Sequence, residues 1–253
     1  MAEDIKLVPA VERAVRILDV VAASGPMGLT AISRALSIPK SSTHALCHTL
    51  CHLDLLREKA GTYVLGMKFL GWNGAVLNDS ALITEFKDLL ARTPALGEYT
   101  VTLSTLHEAE VIYLACQNSS APLGVSFRIG MRLPAAFTAT GKAMLAHLPQ
   151  AELDRALALP LPPPLTGVSV QSVDALLQDI ETTRARGFSI DNGQVRSGMC
   201  CLGAAVLDAS GDVVAGVALS MTTAEVQPET IATAGRAMSD FARTLSCRIG
   251  FRE

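Results

Sequence analysis

The chain has 253 residues, a net charge of −3, 49% hydrophobic and 18% charged residues. That length suits one large domain or two ordinary ones, with ample apolar material for packed cores, and excludes disorder beyond the first few residues. Met1-Ala2-Glu3-Asp4 is acidic and followed by no apolar run, and every apolar run is short and interrupted. The expectation is therefore no signal peptide, no membrane contact and a cytoplasmic location. The negative charge argues against a chain that coats nucleic acid through bulk electrostatics. Its distribution is uneven, however: residues 1–70 hold 8 Lys/Arg against 6 Asp/Glu and three of the five histidines, whereas the remainder holds 13 against 18. A mild basic bias at one end fits a DNA-reading module joined to a neutral or acidic one.

In chain order, Val11, Ala14, Val15, Leu18 and Val21 recur at helical spacing and predict a helix from Pro9 to Ala23, stopped by Gly25-Pro26. Residues 28–66 are the richest stretch. Ala31, Ile32, Ala35 and Leu36 share one face of a short helix, with Ser33 and Arg34 outward, and Ser37-Ile38-Pro39 ends it because a residue before proline is pushed out of the helical region. A second helix follows, with Ser41 or Ser42 as its cap and Thr43, Leu46, Cys47, Leu50 and Leu53 as its buried stripe. Lys40, Ser41, Ser42, His44, Ala45, His48 and Thr49 are left outward. Arg57 to Thr62 reads as a charged turn between Leu55-Leu56 and Tyr63-Val64-Leu65. This succession is a winged helix-turn-helix, a unit that lays one helix in the major groove. Small polar side chains at the helix start can reach base edges, and Lys40 can hold phosphate. Arg57 and Lys59 suit contact with the backbone or minor groove.

His44, His48 and His52 align at i, i+4, i+8 beside Cys47 and Cys51, but one helix rarely completes a tetrahedral metal site, so no metal is expected. No CxxC pair occurs among the six cysteines, which read as free thiols packed as small hydrophobes.

A connecting helix is predicted from Met67 to about Asn78 and another from Leu82 to Leu90. Strand signals then dominate: Tyr99–Thr105 alternates, with Tyr99, Val101 and Leu103 on one face, and Val111–Cys116 is a buried run joined to it by a hairpin at 107–110. Gly124–Phe127 reads as a short strand, Thr138–Leu148 as a helix and Pro160–Pro164 as a connector. Beyond them come a helix at Val173–Arg186, a strand at Gly187–Ile190, paired strands Leu202–Leu207 and Val213–Met221 across a turn, and a closing helix Thr230–Ile249. Strands mixed with hairpins and helices give an α+β fold with a largely antiparallel sheet.

Six ordered motifs carry a resemblance. They are Val8-Pro9-Ala10-Val11-Glu12-Arg13-Ala14, Ile38-Pro39-Lys40-Ser41-Ser42-Thr43-His44, Tyr63-Val64-Leu65-Gly66, Ala139-Thr140-Gly141-Lys142-Ala143-Met144-Leu145, Gly187-Phe188-Ser189-Ile190-Asp191, and the run from Cys201 to Gly211. Over nearly its whole length the chain resembles the IclR family of bacterial transcriptional regulators. The resemblance implies a winged helix-turn-helix at 8–68, a linker helix at 69–82 and a GAF-like effector-binding domain at 83–253. It further implies homodimers or dimers of dimers on pseudo-palindromic promoter sites, a small organic acid as effector, repression of a catabolic operon, and no cofactor. The family's pocket carries over to the amides of Ala139 and Thr140, the apolar walls Leu133 and Met199, the polar positions Asp191 and Cys201, and Ser220. Two departures stand out. Ala218 replaces a second serine on the last strand, removing a donor worth about 0.5–1.5 kcal/mol, so a longer or more apolar acid, a semialdehyde or an aromatic relative fits better than glyoxylate or pyruvate. Ala45 stands where many relatives have arginine, shifting weight to Lys40, Ser42, His44 and His48.

Two alternatives compete: a GAF-like sensor acting on a protein partner, and a Cys-dependent enzyme with Cys201 beside Asp191. Neither His107 nor His147 falls in the pocket motifs, so no base is evident for the latter.

Overall fold

The structure is a computed structural model that describes residues 8–72, 81–119 and 127–252. The chain divides into two compact units, Met1–Asp79 and Ser80–Glu253.

The first unit contains α1 (Pro9–Ser24), α2 (Leu29–Leu36), α3 (Lys40–His52) and a hairpin of β1 (Leu56–Lys59) and β2 (Thr62–Leu65). Its core is Ile17, Val21, Ile32, Cys47, Leu50, Leu56 and Tyr63. Tyr63 also pairs with Met27, extending the wing by one bridge. Ser37 adopts a left-handed conformation (φ 54°) and closes α2, its amide bonding to the carbonyl of Arg34, so the break before α3 is made one residue earlier than the proline rule requires. Pro39, with no side-chain cap, opens α3; Ser41 and Ser42 lie inside the first turn rather than at its cap. Three faces are corrected. Val11 and Val15 are exposed, whereas Val21 is buried as expected and Ile17 joins it, with Ala14 and Leu18 packed alongside, so the inner stripe of α1 is rotated slightly from the one expected. Ala31 and Ala35 are exposed, while Ser33 turns partly inward to donate to the carbonyl of Ile38 at 2.6 Å. Leu53 is exposed beyond the end of α3. The wing turn is only Ala60-Gly61, both at positive φ, which matches a two-residue hairpin. Residues 68–72 are helical; the remainder of the expected linker helix falls on 73–80, outside the described residues.

The second unit begins with α4 (Ala81–Ala91) and is built on one six-stranded, wholly antiparallel sheet. The strands are β3 (Thr100–His107), β4 (Glu110–Gln117), β5 (Arg132–Pro134), β6 (Ser189–Asn192), β7 (Met199–Leu207) and β8 (Val213–Thr222), in the order β5-β4-β3-β8-β7-β6. The helices are α5 (Ala139–Leu145), α6 (Gln150–Leu157), α7 (Val173–Arg186) and α8 (Pro228–Arg248). The expected strand at 124–127 falls mostly on residues outside the described ones. The central strands β3, β7 and β8 are buried on both faces. α5 and α8 both pack on β7 and β8, and α5 also reaches β3; Tyr99–Thr105 is not a one-faced strand, since Thr100–Ser104 are all buried, and Tyr99 itself precedes it. Conversely, the run at Val111–Cys116 alternates, with Val111, Tyr113 and Ala115 buried and the residues between them partly exposed, because β4 lies next to the sheet edge.

The placement of α5 depends on two glycines beneath it. A Cβ at Gly203 would stand 2.6 Å from the carbonyl carbon of Ala139, and one at Gly216 would stand 2.9 Å from Cβ of Thr140. Thr138 caps the helix by accepting from the amide of Gly141 at 3.1 Å. Gly203→Ala is expected to destabilise the protein by about 1–3 kcal/mol through overpacking, read as a lower urea midpoint. Gly167→Ala, whose added methyl meets open space, is expected to change it by less than about 0.5 kcal/mol.

Candidate functional site

Two surfaces carry the chemistry anticipated from the sequence. On the first unit, α3 turns Thr43, Cys47 and Leu50 into the core and leaves Lys40, Ser41, His44, Ala45 and His48 exposed, with Ser42 half-buried. The rings of His44 and His48 stack at 6.5 Å between centroids. Cys47 lies on the opposite, buried side, where burial pushes its thiol up to about 11; among the described residues no three His, Cys, Asp or Glu side chains are grouped to hold a metal. Arg57 and Lys59, expected in the hairpin turn, lie instead two residues apart on β1, exposed and on one face of the wing. Helix and wing thus present six exposed side chains that can donate to phosphate or base edges, with Ser42 as a seventh, half-buried one.

On the second unit a small enclosed cavity lies between α5 and the sheet, lined by residues of β3, β4, β6, β7, β8, the start of α5, and by Phe127 and Val195. Six of the seven effector positions expected from the sequence line it: Ala139, Thr140, Asp191, Met199, Cys201 and Ser220, joined by Ala218. Leu133 does not; it sits on the edge strand β5 opposite Val111 and packs from outside against the same apolar cluster. Thr102, Tyr113, Thr138 and Val195 also line the cavity and were not anticipated. The gathering follows from strand register: Asp191 lies opposite Cys201 and Cys201 opposite Ser220, so all three point to one face.

The polar groups are held firmly. Asp191 accepts from the amide of Gln194 at 2.7 Å and that of Val195 at 3.3 Å. Burial nevertheless dominates and raises its carboxyl to about 6, the two amides and nearby Lys142 pulling partly back. Cys201 Sγ and Ser220 Oγ are 3.1 Å apart, and burial beside Asp191 holds the thiol well above its ordinary value. Tyr113 is shifted upward for the same first reason, its ring 5.1 Å from that of Phe127. Lys142, only 1% exposed, bonds Asp179 at 2.7 Å and the carbonyl of Ile190 at 2.8 Å. Gln194 reaches the same Asp179 oxygen at 3.3 Å. Lys142 was legible only as part of a motif, with no role attached. Side chains nearly fill the cavity, leaving room for about one water molecule. His107 and His147 are exposed and do not line it.

A winged helix-turn-helix in one chain with a buried, polar-lined cavity in an α+β unit is the organisation of a ligand-responsive transcriptional regulator. Comparison with known proteins makes this specific. The IclR helix-turn-helix domain matches residues 10–60, and the C-terminal domain of the bacterial transcriptional regulator IclR matches residues 74–247. The HTH-type transcriptional regulator BhcR of Paracoccus denitrificans is 28% identical over 247 residues, covering 97% of this chain and 88% of BhcR. The crystal structure of the Agobacterium tumefaciens repressor BlcR is 44% identical, covers 97% of this chain and 99% of that one, and superposes with a TM-score of 0.66. An IclR homologue from Microbacterium hydrocarbonoxydans, crystallised with 4-hydroxybenzoate, shares the fold at 19% identity, a TM-score of 0.78 and coverage of 94% and 99%. The chain belongs to the IclR family and is a DNA-binding transcriptional regulator. Among the described residues no helix is long and apolar enough to cross a membrane.

The raised carboxyl of Asp191 makes stability depend on pH. Its folded pKa of about 6 lies above the unfolded value, so the folded state holds the extra proton and loses stability as pH rises from about 4 to above 6. Over that window the wild type is expected to lose about 2–3 kcal/mol relative to Asp191→Asn, measured by urea unfolding of both proteins at pH 4 and pH 7.

Proposed function

We propose that this regulator represses a catabolic operon, binds a pseudo-palindromic operator as a dimer or dimer of dimers, and releases it when a small organic acid enters the cavity beneath α5. The observation that carries the effector half is the meeting of Ala139, Thr140, Asp191, Met199, Cys201 and Ser220, distant in sequence, around one enclosed space. The amides opening α5 supply donors for a carboxylate, and the sheet side supplies Asp191, Cys201 and Ser220 for its remaining polar groups. The methyl of Ala218 makes one wall less polar, favouring an acid longer or more apolar than glyoxylate or pyruvate. The crystallised 4-hydroxybenzoate complex of a homologue supports an acid as ligand, and the repressor BlcR, 44% identical, supports repression.

In the DNA half, the start of α3 enters the major groove. Lys40, Ser41, Ser42, His44 and His48 face the bases and phosphates, and Arg57 and Lys59 on the wing hold the backbone or minor groove. Two copies read half-sites about one helical turn, or a multiple of it, apart. The boundaries of the parts are 8–68 for the reader, 69–82 for the linker helix and 83–253 for the effector domain; the ligand favours one arrangement of the paired effector domains, and the linker passes this to the readers. The protein works in the cytoplasm and is not an enzyme: Cys201 is held as a thiol, with no histidine at the cavity to act as its base.

The experiment is a mobility-shift titration with the DNA upstream of the chain's own gene. Binding is expected, and Lys40→Ala is expected to weaken it and to reduce the slope of log affinity against log salt by about one. Failure of the wild type to shift its upstream DNA would favour a sensor that acts on a protein partner, and an unchanged slope in the variant would remove Lys40 from the interface.

A further inference from the structure

Four serine or threonine side chains line the cavity, and three are satisfied within the protein. Thr102 donates to the carbonyl of Ala218 at 3.4 Å, Thr138 accepts from Gly141, and Ser220 pairs with Cys201. The fourth, Thr140, is 1% exposed and its hydroxyl has no partner. Ser104, fully buried on β3, is the other described residue with an unpartnered side-chain oxygen.

The two orphans belong to one place. Ser104 lies directly opposite Gly216 on β8 and opposite Tyr113 on β4. Cross-strand partners point to the same face, and the missing Cβ of Gly216 points at Cβ of Thr140. Ser104 therefore faces the underside of α5, just beyond the cavity's own lining but on the same face of the sheet as Tyr113 and Ala218. A buried hydroxyl without a partner forfeits its hydration with no return, so native proteins leave few of them.

We infer that Thr140 and Ser104 form a second polar subsite flanking Gly216, and that it selects effectors bearing a hydroxyl in addition to the carboxylate. A hydroxyl suits two hydroxyl neighbours because it donates to one and accepts from the other, which neither a methyl nor a second carboxylate can do. The subsite rests on the reading of this cavity as the effector pocket, and supplies its specificity: the carboxylate is held elsewhere, and the orphan pair discriminates a hydroxy acid from its parent acid.

The test uses the full chain, Thr140→Val and Ser104→Ala. The probes are matched pairs: benzoate against 4-hydroxybenzoate, and straight-chain acids of two to six carbons against their terminal hydroxy forms. Without any acid, both variants are expected to melt at or above the wild-type temperature, since each removes an unsatisfied polar atom. A fall of more than about 3 °C in Thr140→Val would mean that the hydroxyl serves the fold, for example through a buried water, and would overturn the inference. By calorimetry, at least one hydroxy acid is expected to bind wild type about three- to tenfold tighter than its parent, with the ratio falling to about one in Thr140→Val. A ratio that survives the substitution overturns the inference. If parent acids bind and no hydroxyl improves them, this inference alone falls; if no acid of either kind binds, the effector reading of the cavity falls with it.

Discussion

The close approach of α5 to the sheet is the constraint on which the second unit depends. Gly203 and Gly216 on neighbouring strands let the backbone at Ala139 and Thr140 lie where side chains would otherwise stand. Ser189 then fastens the contact, its hydroxyl donating to the carbonyls of Ala139 at 2.5 Å and Gly203 at 3.1 Å. Gly141 does the same on the far side, where a Cβ would strike the carbonyl of Ala135. Lifting the helix by the width of a methyl would open the cavity, break the serine clamp and move the α5 amides away from Asp191, Cys201 and Ser220. Packing at native density therefore determines both the fold and the position of the site.

Close approach has a cost that the sequence also meets. Every residue of α5 is buried, Lys142 included. A buried ammonium is tolerable only when paired and hydrogen-bonded, and Lys142 finds Asp179 on α7 and the carbonyl of Ile190 on β6. Asp179 is 40% exposed at its side chain whereas Lys142 is 1% exposed, so the pair is a buried cation meeting a carboxylate at the rim. Gln194 bridges from that carboxylate to the loop whose amides hold Asp191. One chain of polar contacts thus links the underside of α5, the edge of α7 and the cavity's carboxyl, so a change at Asp191 is felt by the helix that forms the opposite wall.

Legibility in the sequence divides along the range of the interactions involved. The helix-turn-helix was readable because its signals are local: the turn at Ser37-Ile38-Pro39, the polar start of α3 and the inward stripe Thr43, Cys47, Leu50. Its misreadings are local too. Apolar periodicity marks several stripes on α1, and only the packing of α2 and α3 adds Ile17 to the expected Val21 and leaves Val11 and Val15 outside. The wing's two-residue turn at Ala60-Gly61 was hidden by the charges around it. In the second unit most strands and helices were legible in order, but the short strand β5 and helix α6 carry no expectation, and the cavity was not derivable from pattern alone. Asp191, Cys201 and Ser220 meet through register between strands up to 29 positions apart, and those positions came from family resemblance. Where resemblance was silent, as at Thr102, Tyr113 and Val195, the residues were missed. A lysine in a motif reads as surface, so Lys142 gave no signal of its burial. Leu133 was drawn into the pocket although it lies on the short edge strand behind the wall.

The near-filled cavity gives a physical basis for signalling. Space for about one water molecule cannot admit even a short acid unless lining side chains or backbone move. The lining is not free to yield equally. The sheet side is held by three ladders of antiparallel hydrogen bonds among β3, β8, β7 and β6, and α5 is clamped by Ser189 and Lys142. The segment after β6 has no ladder: backbone bonds join the amide of Gly193 to the carbonyl of Met199 at 2.8 Å and the amide of Met199 to the carbonyl of Arg196 at 3.2 Å, and Thr166 donates to the carbonyl of Gly193 and Ser169 to that of Gln194, each at 2.7 Å. Such scattered contacts are more easily exchanged than a continuous strand ladder. Entry of a ligand beside Asp191 and Val195 would therefore be accommodated first by the 193–197 segment and by the loop at 165–170 that clasps it. A site that must displace such a clasp in order to bind converts ligand affinity into a shift between two arrangements of the effector domain, which is the property a ligand-responsive regulator requires.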